Sequence, residues 1–170
     1  MADYYSPTVV QPEIPLSDIT PLEKLILTQI FRTEENQGKL YLYSDDGPVS
    51  FLCLSATELR GAFDASTAVV SQIAPFIEAL VKDAPEGSET IEVDFSDCDL
   101  SYQFILQDIV RRSKTVPYIT IVMSYTCSRM RPDGFGGSAT LITPTVIDGS
   151  STHQILEELI LKHLGAEEPL

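Results

Sequence analysis

TIEVDFSDCDLSYQFILQDIVRRSKTVPYITIVMSYTC, residues 90–127, is the stretch on which the reading of the fold turns. Thr90 to Phe95 alternates, with Ile91, Val93 and Phe95 on one side and Glu92 and Asp94 on the other, the period of a half-buried strand. From about Ser101 to Arg112 the spacing becomes helical, through Phe104, Ile105, Ile109 and Leu106 or Val110. Arg111, Arg112 and Lys114 then put positive charge where the carbonyl end of a helix favours it. Pro117 to Cys127 is the most β-prone run in the chain. Strand, helix and strand in this order predict a parallel βαβ unit with a right-handed crossover.

Working outward, Ser128–Gly137 (SRMRPDGFGG) reads as a loop and Ser138–Thr143 as a strand antiparallel to the one before it. Ser150-Ser151-Thr152 caps a last helix through Leu164, with Leu156, Leu159, Ile160 and Leu164 on its buried side and Gly165 as stop signal. On the other flank, Pro7, Pro12 and Pro15 make residues 1–19 an extended arm. Val9, Val10, Ile14 and Leu16 of that arm need a surface, on their own domain or on a neighbouring subunit, and the sequence leaves both open. Thr20-Pro21-Leu22-Glu23 is a capping box that opens a helix to about Arg32, with Leu22, Leu25, Ile26 and Ile30 as its stripe. Lys39–Ser44 and Pro48–Leu54, joined by Asp45-Asp46-Gly47, predict a β-hairpin whose first strand turns Leu40 and Leu42 one way and Tyr41 and Tyr43 the other. Ser55–Glu58 caps a short helix to about Phe63, and helical spacing returns from Val69 to Val81, with Pro75 as a kink or a true start. The expected organisation is an arm over 1–19, a single α+β domain over 20–165 and a frayed tail over 166–170. A mixed five-stranded sheet carries the helices.

Composition limits function before any motif does. The 170 residues are 44% hydrophobic and 21% charged, enough for one domain to bury its own core. With 25 Asp and Glu against 11 Lys and Arg the net charge is −14, a surface that repels nucleic-acid phosphates and anionic lipid. Direct nucleic-acid binding and membrane partners are therefore not expected. Cys53, Cys98 and Cys127 are too few and too scattered for a disulfide framework, and the start MADYYSPTVV is no signal peptide. A cytoplasmic protein is the expectation.

Catalytic and metal chemistry find no foothold in the spacing. His153 and His163 stand ten residues apart on one helix, about 15 Å along its axis, too far for one ion. Cys98 precedes a helix, where a thiol is activated, but Asp97 and Asp99 flank it and oppose a thiolate. Cys53 and Cys127 read as core filler. Ser96–Asp99 lacks the glycines that admit a pyrophosphate, so no cofactor is expected. Two candidate surfaces remain. Arg129, Arg131, Gly134, Phe135, Gly136 and Gly137 have the composition of an anion-binding nest, or of a long hairpin connection. Glu86, Glu89, Glu92, Asp94, Asp97 and Asp99, together with Asp83, put seven carboxylates in one cation-free stretch, the array by which an acidic protein imitates DNA phosphates, or simply a solvated face.

The segments SPTVVQPEIPLSDITPLEKLILTQIF (6–31), FILQDIVRRS (104–113) and CSRMRPDGFGGSATLIT (127–143) resemble a family of small uncharacterised proteins encoded on bacterial plasmids and integrated conjugative elements. That resemblance implies a cytosolic accessory protein of a mobile element and carries no catalytic residue with it. The expected function is thus a non-enzymatic protein that acts through protein contacts as a homo-oligomer, using the arm and the first hairpin. Two alternatives stand beside it: an acidic DNA mimic that blocks a DNA-binding defence or regulatory protein, and a small enzyme that holds an anionic substrate at Arg129–Gly137.

Overall fold

The computed structural model of the chain describes residues 2–85, 87–96, 100–131 and 133–165. Its organising element is the β-prone run, which becomes β7 (Ile119–Cys127). β8 (Gly136–Ile142) returns antiparallel to it, Ile119 opposite Ile142, as the sequence predicts, and β9 (Ile147–Ser151) pairs in turn with β8. The other flank of β7 is taken by β2 (Thr8–Pro15), with Val9 opposite Val122. β4 (Lys39–Ser44) and β3 (Arg32–Asn36) complete the order β3-β4-β2-β7-β8-β9, and β1 (Tyr4–Tyr5) continues along β7. Every pairing is antiparallel.

The α+β class holds, but the expected mixed five-stranded sheet is a seven-stranded antiparallel sheet with a separate two-stranded one, and three further expectations give way. β6 (Thr90–Asp94) lies in a separate two-stranded sheet with β5 (Phe51–Ser55), so the helix between β6 and β7 is not a βαβ crossover. Both flanks of β7 are occupied by β2 and β8, which leaves β6 no edge to join. The expected hairpin of 39–54 is divided in the same way, its first half in the large sheet and its second in the small one. Finally, the arm is an inner strand of the large sheet. Val10 and Ile14 are each 1% exposed, packed in cis. A register shift between Val10 and Ile14 lifts residues 11–13 out of the ladder with β4, and Pro15 ends the strand, so neither Pro12 nor Pro15 withholds a needed donor.

Capping sets the helices. α1 (Pro21–Ile30) opens on the Thr20–Glu23 box, with Glu23 N donating to Thr20 Oγ1 at 3.3 Å and Thr20 N to Glu23 Oε2 at 2.9 Å. α2 (Ala56–Asp64) starts at Ser55, and α3 (Ala74–Asp83) has Pro75 in its first turn, so the proline marks a start. α4 (Tyr102–Arg112) is capped by Ser101 and α5 (Thr152–Leu164) by a Ser151–Gln154 box.

The large sheet has two unlike faces. On the inner one Val10, Ile14, Leu40, Leu42, Ile119 and Ile121 belong to one continuous core with buried residues of α1 and α4, and with those of α2, α3 and the small sheet beyond them. The outer one carries Tyr41 and Tyr43 on β4, Val9 on β2, Val122 on β7, and Ala139 and Leu141 on β8. α5 stands at this outer side against β8 and β9. Its predicted span is right, yet Leu156, Leu159, Ile160 and Leu164 are 57%, 45%, 49% and 75% exposed, because no other part of the described chain lies over them.

Candidate functional site

The arginine and glycine loop is tied to the N-terminus. Asp3 N donates to Ser128 Oγ at 3.0 Å, Ser128 N to the Asp3 carbonyl at 2.9 Å, and Tyr4 Oη to Asp133 at 3.1 Å. Arg131 Nε faces Asp133 at 3.6 Å, with both side chains more than half exposed. The glycines answer to close packing. A Cβ on Gly134 would come within 2.5 Å of Cys127 Cβ, one on Gly136 within 2.6 Å of Thr152 Oγ1, and one on Gly137 within 2.7 Å of the Met123 carbonyl oxygen. Their amides are also engaged: Gly134 N donates to the Arg131 carbonyl and Gly137 N to Thr152 Oγ1. Phe135 is half-exposed beside them. The geometry is that of a pinned hairpin connection.

Charge concentrated in sequence separates in space. Arg111 donates to the Pro144 carbonyl, Gln107 and Asp108, while Arg112 Nη2 reaches Glu23 Oε2 at 2.6 Å and the Asp18 carbonyl at 3.2 Å. Neither guanidinium joins Arg129 or Arg131. The sequence read both as complements to a helix end and missed that Arg112 neutralises the fully buried Glu23.

Of the acidic stretch, Glu86, Asp97, Cys98 and Asp99 lie outside the described residues. Glu89 and Glu92 are exposed, and Asp94 is half-buried, its carboxylate held below the usual range by the Ser96 hydroxyl and amide. Glu92 stands opposite Cys53 and Asp94 opposite Phe51 on the outward side of the small sheet. Phe51 is 50% exposed and Cys53 is exposed, not core filler, so apolar side chains interleave with these carboxylates. Cys127 is half-buried under Gly134. His153 pairs with Glu157 at 3.0 Å on α5. Among the described residues no three His, Cys, Asp or Glu side chains converge as a metal site, and no helix is long and apolar enough to cross a membrane.

The remaining surface is the outer side. Tyr41 and Tyr43 stack at 5.3 Å, and Tyr43 Oη donates to Glu34 at 3.2 Å, which raises its ionisation above the usual phenol range. Val122 and Leu141 are 47% and 44% exposed. Between them and α5 runs a groove of about 820 Å³ whose helical wall includes Ile155, Glu158 and Leu161. A sequence signal for this side did exist, in the tyrosines alternating with buried leucines on β4 and in the apolar content of α5. The fold and its exposed side define an antiparallel α+β domain with one sheet face open. No protein-family model, curated protein or solved structure matches the chain.

Proposed function

We propose that this chain is a non-enzymatic protein that works through protein contacts, and that the working surface is the open outer face of the large sheet together with α5. One observation carries the reading: α5 has no buried residue, while six of its residues are Leu or Ile between 45% and 75% exposed. A helix that is apolar without being covered belongs against something else. The arm and first hairpin, which the sequence offered for this role, are divided between the two sheets, and of those segments Val9, Tyr41 and Tyr43 reach the open side of the large one. The resemblance to accessory proteins of bacterial mobile elements supplies the setting we infer, a cytosolic one.

A photoreactive phenylalanine analogue at position 159, introduced in the producing cell, tests this directly. Illumination is expected to give a discrete protein adduct from position 159 and none from position 70, where Val70, in the connection between α2 and α3, is 94% exposed. Equal or absent labelling at the two positions overturns the reading.

A further inference from the structure

The irregular part of β2 forms one wall of a cleft on the open face. Residues 11–13, which the register shift between Val10 and Ile14 takes out of the ladder with β4, line a space of about 620 Å³ together with Tyr41, Tyr118 and Thr120. The cleft adjoins the groove along α5, since Thr120 lines both.

Its chemistry is specific. Tyr41 has one ring face against Tyr43, with an interplanar angle of 22°, which leaves the other face for the cleft it lines. Tyr118, just before β7, is 49% exposed. Glu13 supplies a carboxylate that has no ion-pair partner among the described residues, and no basic side chain lines the cleft. Lys39 and Lys114 line a second cleft that shares Pro12 and Glu13, yet neither pairs with that carboxylate. Aromatic ring faces carry the negative side of a quadrupole, and a carboxylate beside them adds a full charge, so the space favours a flat, weakly hydrated cation. A guanidinium is such a cation. It stacks on tyrosine and donates to a carboxylate with the same planar fork, whereas an ammonium holds its water more tightly and a neutral group makes no use of Glu13.

We propose that this cleft seats an arginine side chain of the partner protein. The net charge of −14 draws a basic partner toward the molecule from a distance, and the cleft fixes where its arginine stops. Tyrosine and arginine are also side chains on which interface energy concentrates. This inference rests on the contact surface proposed above and names the chemistry of what it meets: α5 offers apolar area, and the cleft across Thr120 offers the anchor point.

Acetyl-arginine amide is the probe, and acetyl-citrulline amide, of nearly the same shape without the charge, is its control. Titrated into the purified full chain and followed by proton NMR, the arginine probe is expected to shift the ring signals of Tyr41 and Tyr118 along a saturating curve. The citrulline probe should bind at least about tenfold more weakly, and Glu13→Gln should weaken the arginine probe by about the same factor. Glu89→Gln, which removes an exposed carboxylate outside the cleft, should leave binding unchanged. In the producing cell, the photoreactive analogue at position 118 should give an adduct of the same mass as at position 159. Equal response to the two probes, a response that Glu13→Gln leaves intact, or one that Glu89→Gln weakens as much overturns the inference; if a variant fails to fold, the contrast between the probes on the wild-type chain decides alone. An adduct at 159 with neither an adduct at 118 nor a response to arginine sinks the arginine and leaves the contact surface standing. Arginine binding with no adduct from either position sinks both, since the cleft then takes free guanidinium compounds and not a partner.

Discussion

Glu23 shows how one residue can be half legible. Its role in the Thr20 capping box follows from a three-residue spacing, because the partners are neighbours on one helical turn. Its burial at 0% exposure and its pairing with Arg112, 89 residues later, follow only from the packing of α1 against α4. A carboxylate out of water needs that cation, and removing one partner of a buried pair leaves an uncompensated charge. Arg112→Met should therefore lower the unfolding free energy by about 3 kcal/mol in urea titration, and adding Glu23→Gln to it should restore part of the loss. An Arg112→Met variant as stable as the wild type would mean that the pair is solvated. The glycines of 134–137 make the converse case. Their abundance suggested an anion nest, whereas Gly137 is small because the Met123 carbonyl oxygen approaches from the next strand, a contact no local pattern encodes.

At the scale of elements, what was readable was whatever carries its signal locally. The three cap residues Thr20, Ser55 and Ser151 each begin a helix where the sequence put one, and β7 with β8 pair as their alternation requires. β3, with the sequence RTEEN, carries no apolar residue and was invisible, since its place in the sheet comes from pairing with β4 alone. Pro7, Pro12 and Pro15 disguised β2 as an arm. Its position between β4 and β7 changes what truncation should do. An exchanged arm could be removed at the expense of assembly; an inner strand cannot, because two ladders of backbone hydrogen bonds and the burial of Val10 and Ile14 go with it. Deleting residues 1–17 should give a chain without near-UV circular dichroism or a cooperative urea transition. Retention of both would show that β4 and β7 can close on each other without β2.

For the whole molecule, net charge and the open face act separately on a partner. The chain carries −14, so a basic partner is drawn to it by an attraction that has nothing to do with the apolar contact. Salt separates the two contributions. At about 0.01 M the Debye length is roughly 30 Å, comparable with the size of the domain, and at about 1 M it is roughly 3 Å, so the attraction is felt in the first condition and screened in the second. Apolar burial of α5 against a partner persists through both. The adduct from position 159, formed in a lysate of the producing cell at the two salt concentrations, should accordingly fall in yield without disappearing. A contact made by the acidic surface alone would be lost over the same range, because its attraction is the term that salt removes. The extent of the salt dependence thus reports which surface is at work, and an adduct that vanishes at high salt would assign the contact to the carboxylates rather than to Leu156, Leu159 and Ile160.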